Sequence, residues 1–270
     1  MNNKYIGVFD SGLGGLTAVK NLIKVLPNEN IIYFGDTARV PYGSRSEETL
    51  IKYVKSDISF LQKFDIKMIL VACGTASTVA LPKLKDNINI PIFGVVEPVV
   101  KKAAEVTKNG KIGVLGTAST INSGKYEQYI KKLNPQIEVY NKACPLFVPL
   151  VENGYADSEA AHLIASDYLK DIIKSGADTI ILGCTHYPIL KKVIGNIVGE
   201  NVTLVDSGRE LAEYAKIKLA EQNSLCGCPQ SQQYRYFVSD NIDGFTHQAN
   251  IFLGRHIDGD IQKINIELYN

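Results

Sequence analysis

The segment Ile69-Leu70-Val71-Ala72-Cys73-Gly74-Thr75 is a short apolar run that ends in a cysteine, a glycine and a hydroxyl residue. It has a counterpart later in the chain, Ile180-Ile181-Leu182-Gly183-Cys184-Thr185. A second pair of matching segments is separated by nearly the same number of residues as the first pair. It consists of Ile6-Gly7-Val8-Phe9-Asp10-Ser11 and Ile112-Gly113-Val114-Leu115-Gly116-Thr117. Apolar runs this short are typical of buried parallel strands. The echo predicts two related units, each with one strand that ends in cysteine.

Helical patterns alternate with the strand-like runs. In residues 46–62, Leu50, Val54, Ile58 and Leu61 fall on one helix face, and Ser44 and Glu47 precede them at capping-box spacing. Further strands are predicted at Ile31–Phe34, Ile92–Val96, Ile137–Tyr140, Val202–Val205 and Tyr234–Val238, a late helix at Ile242–Leu253 and an extended piece at Ile261–Leu268. The alternation predicts an α/β fold of two similar doubly wound domains, with mainly parallel sheets facing across an active-site cleft. The first domain is expected to span residues 1–97 and the second 98–207.

The composition excludes several functional classes. The chain has 270 residues, 45% of them hydrophobic, and its 29 Lys and Arg residues against 28 Asp and Glu give a formal net charge of +1. Nucleic-acid binding is disfavoured because phosphate recognition needs a basic excess. No apolar run is long enough for a bilayer, and the amino terminus lacks the apolar core of a signal peptide. We therefore expect a cytoplasmic protein without a membrane partner, whose five cysteines are free thiols.

Polar residues collect where the predicted strands end. They are Asp10-Ser11, Asp36, Cys73 with Thr75, Glu97, Gly116-Thr117, Cys184-Thr185-His186 and Asp206-Ser207. In open α/β sheets, ligands bind outside the carboxyl ends of the strands. Two facing domains are therefore expected to bring these groups to one cleft.

The two cysteines at matching positions are candidate reactive groups. Each stands before a predicted helix, where unpaired N–H groups and the helix dipole favour a thiolate and can also hold a carboxylate. Two buried, inert cysteines are the alternative. Cys144 is expected in the core, and Cys226 and Cys228 lack the second half of a zinc site.

The acidic and imidazole residues leave alternatives open. His186 directly follows Cys184-Thr185 and suggests an orienting or acid/base role, although it could be structural. Asp10 could be a helix cap, and Glu152 a solvated loop acid. The glycine-rich turn at residues 10–15 matches neither Gly-x-Gly-x-x-Gly nor the Walker pattern, so it gives little support for nucleotide binding.

Several ordered motifs resemble the glutamate racemases of the aspartate/glutamate racemase superfamily over essentially the whole chain. They are residues 7–15 (GVFDSGLGG), 33–43 (YFGDTARVPYG), 71–73 (VAC), 144–152 (CPLFVPLVE) and 182–188 (LGCTHYP). The resemblance implies that Cys73 and Cys184 are the catalytic pair, assisted by Asp10, Glu152 and His186. It also implies a substrate site, formed by Asp10, Ser11, Pro41, Tyr42, Gly43, Gly74, Thr75, Thr117, Thr185 and His186.

The resemblance further implies a cytoplasmic enzyme that interconverts L- and D-glutamate and supplies D-glutamate for peptidoglycan. No metal, pyridoxal phosphate or other cofactor is expected, and the expected partners are glutamate and a second copy in a homodimer. Residues 208–270 are expected to return to the first domain. One position departs from the family pattern, which usually has Asn after the first catalytic cysteine where this chain has Gly74.

The sequence leaves other functions open. A racemase for aspartate or another amino acid is the nearest alternative, because an amide that helps hold the substrate is missing. A decarboxylase of the superfamily is disfavoured, because that chemistry needs only one thiol and this chain has both. A non-catalytic binding or regulatory protein on the same scaffold would bind a ligand without exchanging its α-proton.

Overall fold

Two parallel β-sheets form the centre of the computed structural model, which describes residues 4–226, 232–257 and 260–269. The first sheet has six strands and the second four. Their bounds are β1 (Tyr5–Asp10), β2 (Asn30–Gly35), β3 (Ile66–Val71), β4 (Ile92–Gly94), β5 (Lys111–Gly116), β6 (Glu138–Ala143), β7 (Thr179–Leu182), β8 (Thr203–Asp206), β9 (Tyr234–Val238) and β10 (Ile261–Lys263). The predicted α/β fold is confirmed.

The sequence echo corresponds to a repeat of topology. The first sheet has the order β10-β9-β2-β1-β3-β4 and the second the order β6-β5-β7-β8, with every neighbouring pair parallel. Thus β1 and β5 are the equivalent central strands, and β3 and β7 are their equivalent neighbours. Cys73 and Cys184 each lie two residues beyond the end of one of these neighbours.

The helices that cover the sheets are α1 (Leu16–Val25), α2 (Glu47–Leu61), α3 (Leu81–Leu84), α4 (Val96–Val106), α5 (Ala118–Asn122), α6 (Lys125–Leu133), α7 (Phe147–Glu152), α8 (Glu159–Ser175), α9 (Lys191–Val198), α10 (Ser207–Glu221) and α11 (Ile242–Leu253). Short 3-10 turns occupy Tyr42–Ser44, Lys85–Asn87, Tyr187–Leu190 and Ile266–Tyr269, and a π turn occupies Ala76–Ala80.

Helix α2 buries the predicted apolar face, but its predicted cap is wrong. Ser46 is the N-cap, and its hydroxyl accepts a hydrogen bond from the Thr49 N–H. Ser44 closes the preceding 3-10 turn instead. An N-cap has extended backbone directly before the first helical residue, and Ser46 is the extended residue that precedes Glu47.

The last strands of the chain extend the first sheet. Strand β9 pairs with β2, and β10 pairs with β9. A buried ion pair of Lys67 with Glu29 holds the chain just after α10, since Lys67 also donates to the Ser224 carbonyl and Glu29 accepts the Cys226 N–H. The predicted extended piece Ile261–Leu268 is correct only for β10, since Ile266–Tyr269 forms a 3-10 turn.

The domain boundaries after residues 97 and 207 stay a prediction. The largest cluster of buried apolar side chains takes Val8 from the first sheet and Leu182 from the second, together with Leu16 of α1 and Leu211 of α10. Close-packed interiors resist shear. This shared core therefore holds the carboxyl ends of the two sheets in a fixed relation.

Candidate active site

The carboxyl ends of both sheets border one cavity of about 360 Å³. The first sheet contributes the turns after β1, β2 and β3, and the second contributes the turns after β5, β6 and β7. The lining residues are Ser11, Gly12, Val40, Pro41, Tyr42, Gly43, Ser44, Cys73, Gly74, Thr75, Thr117, Ala118, Cys144, Pro145, Val148, Pro149, Glu152, Gly183, Cys184, Thr185 and His186. Both candidate thiols thus reach the same space from equivalent positions of the two sheets.

Every predicted site residue except Asp10 lines this cavity. Asp10 is fully buried and lies behind the wall, where it accepts the Gly12 N–H at 3.1 Å. Its predicted contact with substrate stays a prediction. Tyr42 lines the cavity, but its hydroxyl bonds to Asp36 and Asp57, so this hydroxyl is occupied within the protein.

The Cys73 thiol is held in its protonated form. Its sulfur accepts the Ala76 N–H at 3.4 Å, and the thiol donates to the Ser11 hydroxyl at 3.8 Å. Burial, and after it the Asp10 carboxylate, raise the pKa of Cys73 to about 12. The expected bias toward thiolate is wrong at this position, because one N–H group at the helix start does not offset desolvation and a neighbouring negative charge.

Cys184 lies next to a positively charged group, whereas Cys73 lies near a negative one. Its sulfur lies 3.9 Å from Nδ1 of His186, and Nε2 of His186 lies 2.9 Å from Oε1 of Glu152. Burial lowers the pKa of His186, but hydrogen bonds to Cys184 and Glu152 outweigh it and raise this pKa to about 10. His186 is therefore a cation at neutral pH, and its positive charge lies beside the Cys184 sulfur.

The raised pKa of His186 predicts a definite pH dependence. The folded value of about 10 exceeds the ordinary value of 6.5, so the stabilisation from the charged imidazole is complete below about pH 6.5 and is lost as the pH rises through 10. In Glu152→Gln, we expect the His186 titration midpoint to fall, because one of the groups that hold the proton is gone. NMR titration of the imidazole Cε1–H measures this midpoint.

The surface residue His162 provides the matched control for that titration. His162→Gln is expected to remove one imidazole signal and leave the His186 midpoint unchanged. A midpoint near 6.5 for His186 in the natural chain would contradict the proposed charge on its ring.

A buried hydrogen-bonded link joins the two halves of the site. The Thr185 hydroxyl lies 3.4 Å from Oδ1 of Asp10 and 3.5 Å from Nδ1 of His186. Burial raises the pKa of Asp10, although the His186 charge opposes this. Asp10 thus acts electrostatically on the Cys73 side and is linked through Thr185 to the Cys184 side.

Hydroxyl groups from both sheets meet on another wall of the cavity. Oγ1 of Thr75 lies 3.0 Å from Oγ1 of Thr117, and the Ser119 hydroxyl donates to the Gly43 carbonyl at 2.7 Å. Hydroxyl and N–H donors in a partly dry cavity suit a carboxylate ligand. The arrangement can therefore bind an anionic substrate in the cavity that both thiols line.

Gly74 brings the two sheets into close backbone contact. A Cβ atom at position 74 would lie 2.2 Å from the Gly183 carbonyl oxygen, far inside van der Waals distance. Any side chain at this position therefore requires the strand ends of β3 and β7 to move apart.

Besides Asp10, four polar residues near the predicted strand ends lie outside the cavity lining, namely Asp36, Glu97, Asp206 and Ser207. Asp36 belongs to a buried cluster with Arg39 and Ser239. Glu97 pairs with Lys101, and Asp206 caps α10. Their positions at the sheet edge agree with the prediction, but they do not reach the cavity where the thiols meet.

Sequence reasoning missed the apolar wall of the cavity and the support beneath Tyr42. Pro145, Val148 and Pro149 form that wall from α7 and the turn before it. Asp57, which binds Tyr42 from α2, had a usable signal, because an acid on the apolar face of an amphipathic helix needs a buried partner.

The described residues, 4–226, 232–257 and 260–269, contain neither a metal-binding cluster nor a membrane-spanning helix. Within these ranges, no group of three or more His, Cys, Asp or Glu side chains is arranged to hold a metal ion. None of the helices there combines the length and apolarity needed to cross a membrane.

Comparison with known proteins gives consistent matches. The sequence profile of the Asp/Glu/hydantoin racemase family matches residues 16–215. A glutamate racemase of Geobacter metallireducens is 50% identical over 264 residues, which cover 98% of this chain and 97% of that protein.

Solved structures agree with this match. A glutamate racemase isoform of Bacillus anthracis superposes with a TM-score of 0.94 at 37% identity, covering 98% of this chain and 99% of the other. The glutamate racemase of Francisella tularensis in complex with D-glutamate gives a TM-score of 0.92 at 37% identity over 100% of both chains.

Proposed function

The chain belongs to the Asp/Glu/hydantoin racemase family, and from this premise we propose that it interconverts L-glutamate and D-glutamate by proton transfer at the α-carbon through Cys73 and Cys184. The observation that carries the proposal is the entry of two thiols, from equivalent strands of two sheets, into one cavity. Racemisation needs a base on one side of the α-carbon and an acid on the other. Two thiols that reach one cavity from different sheets can meet that need.

The surroundings of the two sulfurs give each a role in the free site. The charged His186 ring lies beside the Cys184 sulfur, whereas Cys73 carries its proton, with a pKa of about 12. In the L-to-D direction, Cys184 removes the α-proton and Cys73 delivers a proton to the opposite face. In the D-to-L direction the roles reverse, and Asp10 assists Cys73 as His186 assists Cys184.

Stabilisation of the carbanion-like transition state comes from fixed donors on the substrate carboxylate. The candidates are the hydroxyls of Ser11, Thr75, Thr117 and Thr185 and the backbone N–H groups of Tyr42, Gly43 and Gly74, whereas Pro41 has no N–H and can contribute only an apolar contact. Preorganised donors in a site with little water contribute most where charge develops. No cofactor is part of this scheme, because the two thiols supply both acid and base.

We further propose a cytoplasmic homodimer that supplies D-glutamate for peptidoglycan. The support is family membership, since the relatives named above are glutamate racemases. Sedimentation of the purified chain measures the oligomeric state.

The proposed reaction is tested by mixing the purified, chelator-treated chain with D-glutamate and following optical rotation. L-glutamate should form without pyridoxal phosphate, and aspartate should react much more slowly. Preference for aspartate or another amino acid would assign a different substrate. Ligand binding without α-proton exchange would identify a binding protein.

A further inference from the structure

A buried polar cluster lies beneath the loop that follows β2. It consists of Asp36, Arg39, Tyr42 and Asp57, each between 0% and 7% exposed. Arg39 donates through Nε to Asp36 at 2.6 Å and through Nη2 to Asp57 at 2.8 Å. The Tyr42 hydroxyl lies 2.5 Å from Oδ2 of Asp36 and 2.9 Å from Oδ2 of Asp57.

A count of protons shows that one of these carboxyl groups is protonated. The Tyr42 hydroxyl has one proton and can donate it to only one of the two carboxyl oxygens. If both acids were ionised, the other contact would join two acceptors without a proton between them. Such a contact is repulsive and is costly in a buried site.

The donors around each acid identify the protonated one. Asp36 accepts from Arg39, from Tyr42 and from the Ser239 hydroxyl at 2.8 Å. Asp57 accepts only the Arg39 contact at Oδ1, and its Oδ2 faces Tyr42. The proton therefore belongs on Oδ2 of Asp57, which donates to Tyr42 while Tyr42 donates to Asp36.

The charge balance agrees with this assignment. Arg39 supplies one positive charge, which balances one buried carboxylate. The exposed Glu267, 3.9 Å from Nη1 of Arg39, adds negative charge on the outer side. Burial, and after it the facing Asp36 carboxylate, raise the pKa of Asp57 well above its usual range.

Tyr42 connects this cluster to the cavity. It belongs to the loop Pro41–Ser44, which lines the cavity, and the Gly43 carbonyl accepts the Ser119 hydroxyl from the second sheet. We propose that Asp57 is a neutral carboxylic acid that donates to Tyr42 and thereby positions the Pro41–Ser44 loop for substrate binding. The effect on substrate rests on the function proposed above, whereas the protonation of Asp57 does not.

Infrared spectroscopy tests the protonation directly. The spectrum of the natural chain minus that of Asp57→Asn at neutral pH should contain the carbonyl band of a protonated carboxylic acid, shifted by ¹³C-labelled aspartate. The same subtraction with Asp65→Asn, a change at an exposed aspartate, should lack this band. Absence of the band from the Asp57→Asn difference would overturn the proposal, whether or not the chain racemises glutamate.

Kinetics tests the positioning role. An Asn amide can donate to Tyr42 and accept from Arg39, so Asp57→Asn should keep KM and kcat within about threefold of the natural values. Asp57→Leu has similar volume but cannot donate, and its KM should rise by about tenfold or more, with a smaller change in kcat. Equal losses in the Asn and Leu variants would show that Asp57 acts as a charge and would overturn the proposal. If Asp57→Leu does not fold, the kinetics of Asp57→Asn still distinguish a neutral Asp57 from an ionised one.

Discussion

The Cys184→Ala variant is expected to racemise glutamate about 10³-fold more slowly than the natural chain, and Cys73→Ala to do the same, within the range of a general acid or base. Each thiol is placed to serve one face of the α-carbon. Removing either one leaves a site that can take a proton or return it, but cannot do both on opposite faces.

Exchange with deuterated water separates the two roles. In Cys73→Ala, the remaining Cys184 reaches the α-proton of L-glutamate, so any residual exchange should be confined to the L enantiomer. In Cys184→Ala it should be confined to the D enantiomer. Proton NMR of each pure enantiomer in D₂O measures these rates, and polarimetry measures racemisation.

The matched control is Cys226→Ala, because Cys226 is partly exposed, lies outside the cavity lining and contacts Glu29 through its backbone N–H, which the substitution keeps. It should leave kcat within about twofold, since surface substitutions away from the site have small effects. Racemisation within tenfold of the natural rate in both cavity variants would rule out the two-thiol mechanism.

The fold could be predicted from the sequence because its signals are local and repeated. The runs before Cys73 and Cys184 are apolar throughout, as strands covered on both faces must be. Their shared ending predicted equivalent strands, and β3 and β7 occupy equivalent places in the two sheet orders. Residues at the carboxyl ends of parallel strands then meet by geometry alone.

Features that depend on several distant residues could not be predicted in this way. Cys73 keeps its proton because it is buried and lies near the charge of Asp10. The sequence around Cys73 indicates a cysteine before a helix, but it does not indicate this burial or this neighbour. The role of Asp57 depends on Arg39 and Tyr42, which lie in a different element. The helix dipole is one contribution to the pKa of a thiol at a helix start. The pKa also depends on all neighbouring charges and on the loss of water on burial.

The N-cap of α2, Ser46, is a second feature that the local sequence does not predict correctly. Capping-box spacing favoured Ser44, yet the 3-10 turn Tyr42–Ser44 delays the helix by two residues. The loop around Tyr42 is fixed by Asp36 and Asp57. The predicted segment 46–62 agrees with α2 to within one residue at each end, but capping-box spacing alone places the cap wrongly, because tertiary contacts fix the turn before it.

Gly74→Ala is expected to lower kcat/KM for glutamate by about 10²-fold, the loss that follows a displacement of catalytic groups by about 1 Å. Its new Cβ would lie 2.2 Å from the Gly183 carbonyl oxygen, and a backbone oxygen in a packed strand end cannot rotate away. The strand ends of β3 and β7 must separate, and Cys73 and Cys184 move with them.

Gly195→Ala is the matched control, because a Cβ at that position in α9 meets only Leu204, at 3.9 Å. It should leave kcat/KM unchanged and stabilise the chain by about 0.5–1 kcal/mol through helix propensity. Thermal unfolding followed by circular dichroism measures the stability of both variants.

Gly74→Asn restores the residue usual in the family and tests whether the missing amide or the close contact dominates. The Asn variant carries the same Cβ, so we expect it to lose kcat as Gly74→Ala does. A lower KM for glutamate with unchanged kcat would instead show that the strand ends separate without cost and that the natural chain lacks only an amide. The kcat of the Asn variant therefore decides whether Gly74 is required by the packing of the two sheets or merely tolerated.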